Sequence, residues 1–259
     1  MRVLFVGDVV GKPGRKAVKE LLPNLRERHR ASFVIVNCEN AAGGLGVSPD
    51  TARELLASGA DCLTSGNHVF KLREIVPYLQ SEQRILRPAN YPKGAPGSGI
   101  GLYAVGSDLI AVINLQGRTF MEPIDCPFSV GDALIAEALQ QTPCVVIDFH
   151  AETTSEKMAF GWFAAGRASA VVGTHTHVQT ADERIIPPGT AYITDVGMTG
   201  PLDSVLGVRP DLIIQRFLTA LPVRFEVAAG PVLLSAVCVD INPDTGYATS
   251  IQRISEVIE

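Results

Sequence analysis

Short, nearly unbroken apolar runs constrain this chain more than any other feature. Arg2–Gly7, Ser32–Cys38, Asp61–Ser65, Cys144–Phe149 and Ala168–Gly173 are rich in Val, Ile, Leu and Phe. A strand with one wet face alternates polar and apolar residues, whereas a continuous run fits a strand covered on both faces. Helical spacing lies between these runs. Val18, Leu21, Leu22 and Leu25 recur at i, i+3, i+4 and i+7 on an otherwise charged stretch. Pro23 is expected to kink that helix, because it lacks a backbone donor and crowds the preceding turn. Ser48-Pro49-Asp50 combines a capping hydroxyl, a proline at the first helical position and an acid in the first turn. Gly59 closes that helix, and Leu72, Ile75, Val76 and Leu79 mark another.

From Gly94 the pattern changes. Gly99–Val105 and Leu109–Leu115 around Gly106-Ser107-Asp108 read as a β-hairpin. Trp162 and Phe163 follow a helical pattern and are expected in the core. An amphipathic helix is predicted near Pro210–Leu221, followed by strands at Val223–Ala228, Val232–Ile241 and Ala248–Ile254. Strand–helix alternation with added antiparallel strands predicts an α/β fold with two packed sheets flanked by helices. No linker, repeat or low-complexity segment interrupts it, which predicts a single domain over residues 1–259.

Composition narrows the function classes. With 46% hydrophobic and 19% charged residues, intrinsic disorder is excluded. A net charge of −5 argues against general nucleic-acid binding, although bound cations can reverse the sign locally. Mean hydropathy is +0.21, yet no apolar run approaches the ~20 residues of a membrane span. No cleavage region accompanies the opening Val3-Leu4-Phe5-Val6, so no signal peptide is expected. Cys38, Cys62, Cys126, Cys144 and Cys238 are odd in number and lack CxxC spacing, which predicts reduced thiols and a cytoplasmic protein.

The residues able to bind metal fall at strand exits. Asp8 follows the first apolar run, Glu39-Asn40 the second and Asn67-His68 the third; His150 follows Val145–Phe149, and His175-Thr176-His177 follows Ala170–Gly173. Four of the five histidines lie at such exits, and only His29, within Arg26–Arg30, does not. In open α/β sheets the carboxyl edge is where ligands bind. A lone strand-end histidine is more often a hydrogen-bonding loop residue, and Asp8, Asn40 or Asn67 singly could be turn or cap formers. Recurrence at five exits favours a metal site. An extended His175-Thr176-His177 would set two imidazoles on one face. Carboxylates, carboxamides and imidazoles without thiolate suit Mn or Fe, with Zn a further option. Seven candidate ligands exceed the needs of one ion. Two divalent ions sharing a carboxylate and a hydroxide would leave a pocket of about +1, fit for phosphate.

Asp8 after a buried strand, Gly66-Asn67-His68, the lone His150 and Gly173-Thr174-His175-Thr176-His177 resemble the calcineurin-like metallophosphoesterase pattern. Departures are Val10 in place of a ligand histidine, Glu39-Asn40 in place of Gly-Asp, Val69 in place of an acid, and Thr174 inserted before His175. Those departures, with Gly7-Asp8-Val9-Val10-Gly11 and Asn37-Cys38-Glu39-Asn40, are similar to the YmdB-like branch along nearly the whole chain. The resemblance implies a four-layer α/β/β/α sandwich and 2′,3′-cyclic nucleotide phosphodiesterase activity. It assigns Asp8, Asn40 and His177 to one metal, Asn67, His150 and His175 to the other, Glu39 as the bridge and His68 as the catalytic histidine. The implied partner is a small phosphorylated substrate, with RNA-derived ends and self-association both compatible. Rival expectations are a phosphomonoesterase or phosphoprotein phosphatase with the same centre, and a weakly active regulatory scaffold.

Other motifs carry less. Gly7–Pro13 has too short a spacing for a P-loop and Pro13 where Ser or Thr is needed. Gly43-Gly44-Leu45-Gly46 lacks dinucleotide-fingerprint spacing and reads as a loop beside the site. Tyr91, in Arg87–Pro92, fits either a nucleobase contact or a structural turn.

Overall fold

The computed structural model describes residues 1–259. In chain order the elements are β1 (Arg2–Val6), β2 (Asp8–Val9), α1 (Gly11–Arg28), β3 (Phe33–Asn37), α2 (Pro49–Ala57), β4 (Cys62–Thr64) and α3 (Ile75–Ser81). The hairpin β5 (Ile100–Val105) and β6 (Asp108–Gln116) follows, then α4 (Pro127–Ala138), β7 (Val145–His150), α5 (Thr154–Ala164) and β8 (Ala170–Thr174). The chain ends with β9 (Arg184–Ile186), β10 (Thr190–Ile193), β11 (Met198–Pro201), α6 (Pro210–Thr219), β12 (Val232–Ile241) and β13 (Ala248–Ile258).

Two mixed sheets result. The first runs β2-β11-β12-β1-β3-β4, with β13 also paired to β12; the second runs β5-β6-β7-β8-β10-β9. Within them, β1, β3 and β4 are parallel, as are β6, β7, β8 and β10. Parallel pairing brings many carboxyl ends to one edge of each sheet.

Side-chain alternation sorts the core into three apolar layers. Leu4 and Val6 of β1 pack with Val18, Leu22 and Leu25 of α1. Val3 and Phe5 face the other way, into the layer between the sheets, with Ile110, Val112, Val146 and Val172. Ala111, Ile113 and Ile147 pack against Ile135 of α4 and Phe160 of α5. The order of layers is therefore α/β/β/α.

The layer between the sheets changes character along the strands. Ile35, Val112, Val146 and Val172 give way, two residues later, to Asn37, Asn114, Asp148 and Thr174, all buried. Asn37 Nδ2 donates across the sheets to Asp148 Oδ2 at 2.9 Å, and Asn114 exchanges two hydrogen bonds with the Ser65 backbone, each 2.9 Å. Buried polar groups need partners, and here each sheet supplies the other's. The next residues along β6 and β7 on that face are Gln116 and His150, which stand opposite each other in register.

Several expectations change. Val223–Ala228 is not a strand, because it finds no neighbour beyond a single Val208–Val227 bridge. Trp162 and Phe163 are not core; α5 turns Lys157, Phe160, Gly161 and Ala164 inward, leaving Trp162 56% and Phe163 36% exposed. Arg184 instead lies over the Trp162 ring, 5.6 Å from its centroid. Pro23 lies inside helix α1, as the sequence indicates. Helix α6 buries none of its side chains. Tyr91 packs edge-on against Phe70 at 5.3 Å beside the helix-side core of the first sheet, the structural alternative. All five cysteines are free thiols. No helix is long and apolar enough to cross a membrane.

Candidate metal centre

Asp8, Glu39, His150, His175 and His177 meet where the two sheets' carboxyl edges face each other. Ligand-capable atoms of Glu39, His150 and His175 lie within 4.8 Å of one another, as do those of Asp8, Glu39 and His177. Glu39 belongs to both groups. Asn67 Oδ1 lies 3.1 Å from His150 Nε2, joining the first group. Asn40 Nδ2 lies 3.0 Å from His177 Nε2 and 3.2 Å from Glu39 Oε1, joining the second. Its Oδ1 turns instead towards His68, so ligation of a metal through oxygen requires the carboxamide to turn over. Such packing tolerates no bulk: a Cβ at Gly66 would overlap both His150 and Glu39.

Each histidine has one ring nitrogen tied outside this space. His150 Nδ1 is 2.8 Å from Thr174 Oγ1, and that hydroxyl donates to Asp148 Oδ1 at 2.7 Å. With its proton committed to Asp148, Thr174 must accept from His150. His177 Nδ1 donates to the Leu206 carbonyl at 3.1 Å. His175 Nε2 lies 3.1 Å from Glu152 Oε2. The opposite nitrogens then face inward: His175 Nδ1 and His150 Nε2 are 3.0 Å apart, and His150 Nε2 is 3.0 Å from Glu39 Oε2. Outer acceptors of this kind fix tautomer and ring orientation in metal sites.

His175 and His177 do not form the extended pair expected from sequence. Their φ angles are 96° and 64°, left-handed values uncommon for non-glycine residues. The bend sends His175 towards His150 and His177 towards Asp8, so the two imidazoles serve different halves of the centre. Asp195 holds the bend. Its Oδ2 accepts from the Thr176 N–H at 3.0 Å, the Thr176 hydroxyl at 2.6 Å and buried Lys157 Nζ at 2.7 Å. Strained backbone persists where surrounding bonds over-determine it, at about 1–3 kcal/mol per residue.

The electrostatics call for cations. Burial raises the Asp8 carboxyl, and its Oδ1 has no hydrogen-bond partner although fully buried. Burial also opposes ionisation of Glu39, but His150 and His68 outweigh it and hold that carboxyl well below the usual range. Burial lowers His150, yet Glu39, Asp8 and Asp148 together carry it up to about 9. His175 is pushed down to about 3 by burial and by neighbouring His150. Asp148 is pushed up to about 6 by burial. An orphaned carboxylate oxygen, two buried acids and inward-facing imidazole nitrogens fit divalent ions, which bind deprotonated ligands.

His68 differs from these groups in being 24% exposed at its side chain, whereas Glu39 is fully buried. Its Nδ1 lies 2.9 Å from Asn40 Oδ1 and 3.3 Å from Glu39 Oε1. Asn40 and Glu39 are thus the groups that face His68 Nδ1.

Sequence reading missed Asp148, Thr174, Glu152, Lys157, Asp195 and Gln116. An acid inside an otherwise apolar run was the available signal for Asp148, whereas Lys157 follows the polar stretch Glu152–Glu156 and carried none. Glu152 and Thr174 sit within two residues of ligand candidates but carry no pattern of their own. Gln116 is fully buried beside His150, with neither amide atom partnered.

The family model described as YmdB-like protein matches residues 4–254. The chain belongs to the YmdB-like family. Among its relatives, a Bacillus subtilis 2′,3′-cyclic-nucleotide 2′-phosphodiesterase is 56% identical over 254 residues, covering 98% of this chain and 96% of that one. The crystal structure of a hypothetical protein from Thermus thermophilus superposes with a TM-score of 0.94 at 41% identity, covering 99% of each chain. A Mycoplasma pneumoniae phosphatase structure does so with a TM-score of 0.94 at 34% identity, covering 99% of this chain and 93% of that one. The YmdB-like fold and its clustered donors together imply divalent metal binding.

Proposed function

We propose that this chain is a dinuclear, metal-dependent phosphodiesterase that opens 2′,3′-cyclic nucleotides, working as one domain over residues 1–259. The observation that carries this reading is Glu39 shared by two donor groups, with every ligand histidine anchored through its other nitrogen. The activity of the 56% identical relative supports the same substrate class. Asp8, Asn40 and His177 would hold one ion, Asn67, His150 and His175 the other, and Glu39 would serve both. The thiolate-free oxygen and nitrogen donors favour Mn or Fe, with Zn next. When bound, these ions supply Lewis acidity, polarising the phosphoryl group and acidifying water.

The residues of the chain do the rest. Two carboxylates neutralise only part of two divalent charges, so the pocket attracts an anion despite a net protein charge of −5. With the Asn40 oxygen turned to the metal, Glu39 Oε1, 3.3 Å from His68 Nδ1, remains to orient His68, which presents its other nitrogen from a partly exposed position. His68 donates a proton to O2′ as the P–O2′ bond breaks and a water oxygen bonds to phosphorus, leaving a 3′-monophosphate. The water gives up one proton to solvent, from which His68 is reprotonated. Five free thiols fit a reducing, cytoplasmic setting. Purified Mn-loaded protein assayed on 2′,3′-cyclic AMP, 3′,5′-cyclic AMP and a phosphomonoester tests the reading. The first is expected to turn over fastest. Preference for the monoester would make the chain a phosphatase, and metal binding without turnover would make it a scaffold.

A further inference from the structure

A cavity of about 330 Å³ adjoins the centre and has no part in the reaction above. Its walls are Val10, the 43–45 turn, 206–208 and 223–227. Two hydrogen bonds connect it to candidate ligands. Leu206, on one wall, accepts from His177 Nδ1 at 3.1 Å, and Gly44, on another, donates to the Asn40 carbonyl at 3.1 Å. Two walls of this cavity are therefore fixed to candidate metal ligands.

The lining is apolar and open. Leu45 is 48%, Leu206 47% and Phe225 47% exposed. Leu206 has a φ of 55°, an unfavourable backbone for a branched residue, kept in a position that serves both His177 and the cavity wall. Arg216 packs on the Phe225 ring, 5.1 Å from its centroid, and orients a ring that also lines the cavity. The segment 223–227 reads as a strand in sequence but stays outside both sheets, which leaves this wall uncovered. Arg224 and Glu226 add one donor-bearing and one acceptor-bearing side chain.

We infer that this cavity is the subsite for the nucleobase of the substrate, a planar heteroaromatic ring stacked on Phe225 between Leu45 and Leu206. The inference rests on the phosphodiesterase reading and adds to it where the base lies. Binding pockets are mostly apolar with a few polar groups that set orientation, and their volumes begin near roughly 300 Å³. Stacking on an aromatic ring tolerates every base, because each has a π-face. The subsite therefore separates nucleotides from other cyclic phosphates more strongly than it separates one base from another.

The experiment compares wild type, Phe225→Ala and Phe225→Tyr. Steady-state kinetics are measured on 2′,3′-cyclic AMP and on glycerol 1,2-cyclic phosphate, which keeps the strained ring but has no base. Calorimetry with adenosine, which has no phosphate, reads the subsite without the metals. Phe225→Ala is expected to lower the ratio of kcat/KM between the two substrates about tenfold, within the range of one base–aromatic stack. The loss is expected mainly in KM, with a matching loss of adenosine affinity and recovery of both in Phe225→Tyr. An unaltered ratio with unaltered adenosine binding overturns the inference. So does a change of oligomeric state with no change in the ratio, which would make the patch an interface between copies. Failure of wild type to open either cyclic phosphate defeats the phosphodiesterase reading, while adenosine binding still decides the subsite.

Discussion

The two sheets bring opposite chemistry to their shared edge. The first contributes the anionic and amide donors Asp8, Glu39, Asn40 and Asn67, with His68 beside them; the second contributes His150 and leads into His175 and His177, the imidazole donors. Neither edge is a site alone, since neighbouring buried carboxylates disfavour each other's ionisation and so do neighbouring imidazoliums. The comparison teaches that the centre is a junction, formed only when sheet packs on sheet. Its anchoring is also uneven. His150 leans on Thr174 and Asp148, both fully buried, whereas His175 leans on Glu152, 48% exposed at its side chain.

The most direct way to break the junction is Glu39→Gln, which removes the group common to both halves. Elemental analysis should find both ions lost, and activity should fall beyond the ~100-fold typical of losing an outer partner. Retention of one full equivalent would show that the halves are independent. His68→Ala attacks the reaction without the junction. Metal content should persist while turnover drops by about 10²–10⁴, the usual contribution of a general acid; normal turnover would remove His68 from proton transfer.

Uneven anchoring gives a smaller, paired effect. Thr174→Val should weaken metal binding by about 10–100-fold. Glu152→Gln should cost less, because solvent screens its charge. Equal losses in metal titrations would show that burial of the outer partner is immaterial. Gln116→Leu sharpens the cost of the polar edge. It relieves two unpaired buried amide atoms, at about 1–3 kcal/mol each, and so should raise the melting temperature of metal-free protein by several degrees. A lowered melting temperature would mean that Gln116 is satisfied after all.

The smallest effect lies away from the site. Arg2 hydrogen-bonds Asp240 at 2.6 and 2.9 Å and holds that carboxyl below its ordinary value. A depressed folded pKa means that the pair's stabilisation is present above the unfolded value of about 3.9 and is lost as pH falls through the folded one. Solvent screening limits it to about 0.5 kcal/mol. Urea denaturation should show Asp240→Asn less stable than wild type at pH 7 and level with it at pH 2; equal stability at both would mean the bridge contributes nothing.

Fold elements with strong local patterns were readable in advance. Val232–Ile241 spans the same residues as β12, and Ser48 caps α2 through a reciprocal capping box with Thr51. Elements that depend on a partner were not. Val223–Ala228 has strand composition but no neighbour with which to form a ladder, and Trp162 has core chemistry on a face that α5 turns outward. The candidate donors were identifiable as residue types at strand exits. Their outer anchors were not, because a threonine after a strand or a backbone carbonyl at Leu206 carries no mark of what will approach it.

By itself, the sequence determined the donor chemistry, its absence of thiolate, and the placement of those donors at the ends of buried strands. Periodicity and chain order encode such properties locally. Tertiary structure alone decided that Glu39 is shared, that His175 and His177 part company, that Thr174, Glu152 and Leu206 turn the imidazoles inward, and that 223–227 walls a cavity. These depend on distances across two packed sheets, and residues more than a hundred positions apart acquire such distances only when the core between them closes.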